Sequence, residues 1–109
     1  MMQVLVVDDQ RMPRDNMEQI LAASGRYEVA ASISSAELAI IKCKQQPIDL
    51  ILMDVCTAMN ASGLEAAVKI KKNFPAVKIL ILTSQLDPEL LRRAREAKIE
   101  GFCYKLSDD

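Results

Sequence analysis

The chain contains no histidine. That removes the commonest general base near neutral pH, the usual zinc ligand, and any relay in which this chain itself would carry phosphohistidine. Cysteine is scarce: Cys43, Cys56 and Cys103 are the only three. They have no metal-like spacing, and an odd count fits a reducing compartment better than a disulfide framework. The three glycines, Gly25, Gly63 and Gly101, form neither a G-x-G-x-x-G motif nor a P-loop to hold a nucleotide, and no serine with a partnering base is visible. An enzyme acting on a separate substrate is therefore disfavoured. The apolar runs are all shorter than ten residues, and the opening MMQVLVVDDQ has no basic region ahead of a long apolar one. Neither a signal peptide nor a membrane span is expected. No charge sign is in excess either: 27% of residues are charged and the formal net charge is −1, which leaves no chain-wide electrostatic footprint for nucleic acid or membrane. A cytoplasmic protein is expected.

What is present is regular. Half of the 109 residues are hydrophobic, enough for one domain with its own core. Strand-like runs at 3–7 (QVLVV), 27–32 (YEVAAS), 49–54 (DLILMD), 77–83 (VKILILT) and 101–105 (GFCYK) alternate with helical periodicity. Several of the runs are nearly continuous in hydrophobicity, as in strands buried on both faces. Between them, Met17, Ile20, Leu21 and Ser24 share a helical stripe, as do Ala36, Ala39, Ile40 and Cys43, and then Leu64, Ala67, Val68 and Lys71. Pro13 suits a first turn, Ser34 with Glu37 and Ser62 with Glu65 read as capping boxes, and Asp87-Pro88 reads as an N-cap followed by proline at the first helical position. Gly25, Pro47 and Pro75 supply stops. A βαβαβαβαβ order predicts an α/β fold with a parallel sheet between helices.

In open sheets of this kind, ligands bind outside the carboxyl ends of the strands. Strand 1 ends in Asp8-Asp9, strand 3 in Asp54, strand 4 in Thr83 and strand 5 in Lys105. Carboxylates converging from neighbouring strands need a cation, and oxygen-only ligands point to Mg²⁺ rather than Zn²⁺. With Asp54 as nucleophile and the metal, Thr83 and Lys105 neutralising phosphoryl oxygens, the set suits phosphoryl handling. Each residue alone has a plainer reading: an aspartate as N-cap, a threonine ending a strand, a solvated edge lysine. Together they read as a site.

These motifs, VLVVDD, DLILMD followed by SGLEAA, ILTS and GFCYK in that order and spacing, resemble the receiver domain of a bacterial two-component response regulator, with the nitrate-response type suggested by DVCT and SGLEAA. The resemblance implies a flavodoxin-like, doubly wound five-stranded sheet of order 2-1-3-4-5 and phosphorylation of Asp54 by a sensor histidine kinase. It implies Mg²⁺ bound by Asp9 and Asp54, with Asp8 often acting through water, and completed by the backbone carbonyl of Cys56. The Cys56 thiol, with nothing basic beside it in sequence, is inert packing. By the same resemblance Phe102, otherwise a core aromatic, swings inward as Thr83 moves toward the phosphoryl group. Catalysis is limited to the domain's own phosphorylation and dephosphorylation. Its partners are the kinase and an effector domain in cis of the DNA-binding helix-turn-helix kind, with no direct nucleic-acid or membrane contact by this domain; a homodimer is a further candidate, since an uncovered apolar sheet face favours association.

Departures from the family pattern are confined. After Asp54, Thr57-Ala58 replace the usual Met-Pro, and Gly63 arrives one residue late, so the loop after strand 3 is longer and lacks its proline. Leu106 replaces a proline after Lys105, so the Lys105–Leu106 bond is expected to be trans. The final LSDD stops where Ser107 would cap a fifth helix. Residues 1–109 are thus expected to be a receiver domain without its last helix, with the effector beyond residue 109 and Cys103 beneath the uncovered part of the sheet. The alternative function is a receiver-fold interaction module that acts without phosphorylation.

Overall fold

Each aliphatic run becomes a parallel strand, because runs this apolar are stable only with helices over both faces. The computed structural model describes residues 1–8, 11–55, 61–83 and 87–104. Its elements are β1 (Met2–Val7), α1 (Arg11–Ser24), β2 (Tyr27–Ile33), α2 (Glu37–Gln45), β3 (Leu50–Asp54), α3 (Ala61–Asn73), β4 (Lys78–Thr83), α4 (Pro88–Glu96) and β5 (Gly101–Tyr104). The five strands form one parallel sheet of order β2-β1-β3-β4-β5, the flavodoxin-like order that was expected. Val4, Leu5, Val6 and Val7 of β1 are all buried. Between β1 and β2 the register slips: Val4 pairs with Val29 but Leu5 with Ala31, leaving Ala30 as an extra residue in β2, a bulge.

Right-handed crossovers dictate the layers. The chain steps from β1 out to β2 with α1 on one face. It then crosses back to β3 and continues to β4 and β5, which puts α2, α3 and α4 on the other face, where α2 packs on α3 and α3 on α4. That face holds the core: Ile51, Met53, Ile79 and Ile81 are fully buried in one cluster with Ala39, Leu64, Ala67, Ile70, Leu90 and Ala94. The α1 face is thinner. α1 packs on β1 and β2, while Leu52, Leu80 and Leu82 are half-buried and Cys103, the register partner of Leu82, is exposed. Strand alternation turns Phe102 the other way, against the core.

The helical stripes of α2 and α3 hold as predicted, but that of α1 is narrower. Met17 and Leu21 are half-buried, whereas Ile20 is 70% exposed. Ser24 is exposed and ends the helix instead: its hydroxyl donates to the Leu21 carbonyl and accepts from the Arg26 amide, before Gly25 turns the chain at φ +74°. Neither expected capping box stands at its helix start. α2 begins at Glu37 after Ala36, which is already helical and makes no side-chain cap bond; the Ser35 and Ala36 carbonyls accept from Leu38 and Ala39 instead. α3 begins at Ala61, so Ser62 lies inside its first turn. Asp87 does cap α4, accepting from the Glu89 amide at 3.0 Å, with Pro88 at the first position. Strand 3 starts at Leu50; Asp49 just before it bonds to both neighbouring strands, its amide donating to the Gln3 carbonyl at 2.8 Å and its carbonyl accepting from the Lys78 amide at 3.0 Å, while its carboxylate accepts from the Gln3 amide at 2.7 Å.

α4 ends at Glu96. Lys98 takes the left-handed conformation, φ 64°, while the Ile99 amide donates to Ala94 and the Lys98 amide to Arg95. This is a Schellman turn with lysine where glycine is favoured, closed by the buried pair Ile99 and Ala94. A left-handed non-glycine residue costs about 1–2 kcal/mol, and glycine gives back part of that gain as unfolded-state entropy. Lys98→Gly is therefore expected to stabilise the domain by about 0.5–1 kcal/mol in urea unfolding; a lower midpoint for the variant would refute this account of the turn.

At the amino ends of the strands, Lys71, on the apolar stripe of α3, is charged and yet largely covered, its side chain 9% exposed. Its ammonium donates to the carbonyls of Pro75 at 3.1 Å and Val77 at 3.0 Å and pairs with Glu100. The other Glu100 oxygen accepts from the Ile79 amide at 2.8 Å. Burial opposes ionisation of Glu100, but the hydrogen bonds from Lys71 and Ile79 and the Lys71 charge outweigh it and hold the carboxyl below its usual range. One ammonium thus ties the end of α3 to the starts of β4 and β5.

Candidate functional site at the carboxyl ends of the strands

Strand register brings the polar end residues to nearly one level. Val7 is opposite Met53, so Asp8 and Asp54 follow side by side on neighbouring strands, which run about 4.8 Å apart. Asp54 is in turn opposite Leu82, one residue before Thr83. All three are buried, with exposures of 1% for Asp8, 8% for Asp54 and 0% for Thr83. Aspartates seldom sit this deep, and buried charges are paired or bind cations; a simple surface cap would leave them wet. Phe102 lies in β5 opposite Ile81, two residues short of the level where Tyr104 meets Thr83. Asp9, Cys56, Lys105, the altered loop at 56–60 and the Lys105–Leu106 bond lie outside the described residues.

The main chain under these carboxylates is held from several sides. The Asp8 amide donates to the Ile33 carbonyl at 3.1 Å, and the Asp8 carbonyl accepts from Arg14 Nη1 at 3.2 Å. Just past Asp54, the Val55 amide donates to the Leu82 carbonyl at 2.8 Å and continues the β3–β4 ladder. Gly63, in the first turn of α3, presses on the same peptide: a Cβ there would lie 3.0 Å from the Asp54 carbonyl oxygen and 3.0 Å from a Val55 methyl. Arg14 was not foreseen from sequence, and Gly63 was noted only for its spacing. Its one legible signal was a glycine inside a helical pattern, which often marks close packing.

The donor set fits a hard divalent cation. The two described carboxylates are oxygen donors, as Mg²⁺ prefers, and two acids in one crevice are costly without a positive charge. Among the described residues no three acidic, cysteine or histidine side chains cluster into a complete cage. Burial pushes the Cys43 thiol up, which keeps it protonated and poorly nucleophilic. A cleft of about 310 Å³ between α2 and α3, lined by Glu37, Ile40, Glu65, Ala66 and Lys69, takes no residue from the strand ends. No helix among the described residues is long and apolar enough to cross a membrane.

Comparison with known proteins agrees with this geometry. The response regulator VraR of Staphylococcus aureus is 35% identical over 102 residues, covering 94% of this chain and 48% of its own length. The chain thus spans about half the length of the curated relatives it matches. A CheY-like receiver domain protein from Methanospirillum hungatei superposes with a TM-score of 0.85 at 26% identity, over 99% of this chain and 84% of its own. A LuxR-family two-component response regulator from Aurantimonas follows at 0.84 and 27%, over 97% and 75%. The family model of the response regulator receiver domain matches residues 4–109, and since that span includes every strand end from Asp8 to Thr83, the chain belongs to the response regulator receiver domain family.

Proposed function

We propose that this domain is a phosphorylation-dependent signalling switch whose phosphoacceptor is Asp54. The observation that supports it most is the pair of buried carboxylates, Asp8 and Asp54, side by side at the ends of β1 and the central strand β3 of a receiver fold. An Asp54 carboxylate oxygen attacks the phosphorus of a phosphohistidine on a sensor kinase; the P–N bond breaks, the departing imidazole nitrogen takes up a proton, and Asp54 becomes an acyl phosphate. Asp8, Asp9, Asp54 and the Cys56 carbonyl are the proposed holders of Mg²⁺, which when bound supplies the positive charge that lets an anionic phosphoryl group approach carboxylates. Thr83 and Lys105 take phosphoryl oxygens by hydrogen bond and charge. Thr83 moving toward that group leaves room for Phe102, so the change is read on the face of α4 and β5.

The partners that follow are a sensor histidine kinase, a DNA-binding effector domain in the part of the relatives' length that this chain does not span, and a second copy. A helix after β5 in that longer chain would cover Leu80, Leu82 and Cys103. The protein would act in the cytoplasm, as a signalling component and not as an enzyme on other substrates. Acetyl phosphate with Mg²⁺ should add one phosphoryl group by intact mass, and none in excess EDTA. Failure of the Mg²⁺ sample to label would leave the alternative, an interaction module working without phosphorylation. Equal labelling in EDTA would remove the metal from the reading.

A further inference from the structure

We propose that Arg14 is a positioning residue for the cation of this site, acting through the main chain of Asp8; the inference rests on the reading of Asp8 and Asp54 as part of a Mg²⁺-dependent acceptor site. Arg14 is half-buried on α1, and its guanidinium donates to the Asp8 carbonyl at 3.2 Å. No ion pair of Arg14 occurs among the described residues. A guanidinium is a rigid fork of donors suited to carboxylates, yet this one is used on a peptide oxygen at the foot of an acidic site.

That peptide is a particular one. It follows directly on Asp8, and because a peptide unit is planar, a hydrogen bond to its oxygen restrains the rotation of the main chain at Asp8. The Asp8 amide is already tied to Ile33. Asp8 is therefore held through both of its backbone polar groups, by a strand on one side and by Arg14 on the other.

Two effects of Arg14 on Mg²⁺ have opposite signs. Its positive charge repels a cation, so if charge dominated, removing it would tighten Mg²⁺ binding. Its hydrogen bond orders the ligand-bearing peptide, so if positioning dominates, removing it weakens binding. Groups that orient metal ligands are typically worth about 10–100-fold in affinity, whereas the charge of a half-buried guanidinium is partly screened by water. Positioning should win.

The test is calorimetric titration of Mg²⁺ into the 109-residue chain and its Arg14→Met and Arg14→Lys variants, with thermal melts of each in EDTA and in saturating Mg²⁺. Arg14→Met is expected to bind Mg²⁺ about tenfold more weakly while melting close to the parent in EDTA. Arg14→Lys, which keeps a donor on a long stem, should recover most of the loss. Equal or tighter binding by the methionine variant overturns the proposal. So does a loss of affinity in both variants that is matched by an equal fall in their EDTA melting temperatures, since that is a general structural role. If the methionine variant does not fold, Arg14→Gln carries the same comparison. A parent chain that binds no Mg²⁺ overturns the underlying reading as well; a parent that binds normally beside an unchanged variant overturns only the role of Arg14.

Discussion

Asp54→Asn will take up no phosphoryl group from acetyl phosphate and Mg²⁺ under conditions that label the parent. The substitution keeps the size and planarity of the side chain and removes only the anionic oxygen that attacks phosphorus, so the loss should be complete, because a neutral amide is not a useful nucleophile here. The fold supplies an internal control. Asp54 is 8% exposed and sits beside Asp8 at 1%, so replacing one of two crowded carboxylates with an amide relieves repulsion. In EDTA the variant should melt at or above the parent. Residual label on the asparagine variant would move the acceptor elsewhere, and a much lower melting temperature would mean that Asp54 is held by structural partners whose loss outweighs the relief.

Gly63→Val is expected to cost about 3 kcal/mol or more and to slow labelling of Asp54 roughly tenfold. The alanine variant makes the reasoning plain. In a free helix glycine to alanine gains about 1 kcal/mol, but a Cβ at Gly63 would lie 3.0 Å from the Asp54 carbonyl oxygen. That atom is main chain in a buried strand and yields only if β3 or α3 shifts. Overpacking of this kind costs about 1–3 kcal/mol, so alanine should be mildly destabilising and valine, bulkier and β-branched, distinctly so. The displaced peptide is the acceptor's own, which is why the loss should reach the chemistry. Urea midpoints and labelling rates for both variants test the two halves separately. An alanine variant more stable than the parent would show that α3 relaxes away from β3 without strain.

The sheet and the strand-end positions of Asp8, Asp54 and Thr83 were legible because both are written locally. A buried parallel strand carries a near-continuous aliphatic run, and a polar residue that abruptly ends it, as Asp54 ends DLILMD or Thr83 ends KILILT, has few places to be except the carboxyl edge. Features that depend on neighbours distant in sequence were not legible. Lys71 follows the apolar periodicity of α3, but what allows its burial is Glu100, in the turn before β5. The Ala30 bulge answers to β1 and leaves no mark in YEVAAS. Ser34 and Ser62 have capping-box spacing, yet the helix starts fall at Glu37 and Ala61; a local side-chain bond of about 1 kcal/mol is too small to fix a helix start by itself. Arg14 looked like any polar residue on a surface helix, since nothing local shows that its reach ends on the Asp8 carbonyl.

The strand order has a consequence for how the chain comes together during synthesis. In β2-β1-β3-β4-β5 no strand is inserted between two that have already paired. Strands emerging in chain order can therefore add one by one, β3 on the free side of β1, β4 on β3 and β5 on β4, while the outer edge of β2 stays open throughout. Sequential addition keeps loop closures short and spares a partly made protein from reopening pairs it has formed. Free edges are also the aggregation-prone ones, and in the finished sheet they are β2 and β5, the latter only four residues long among the described residues.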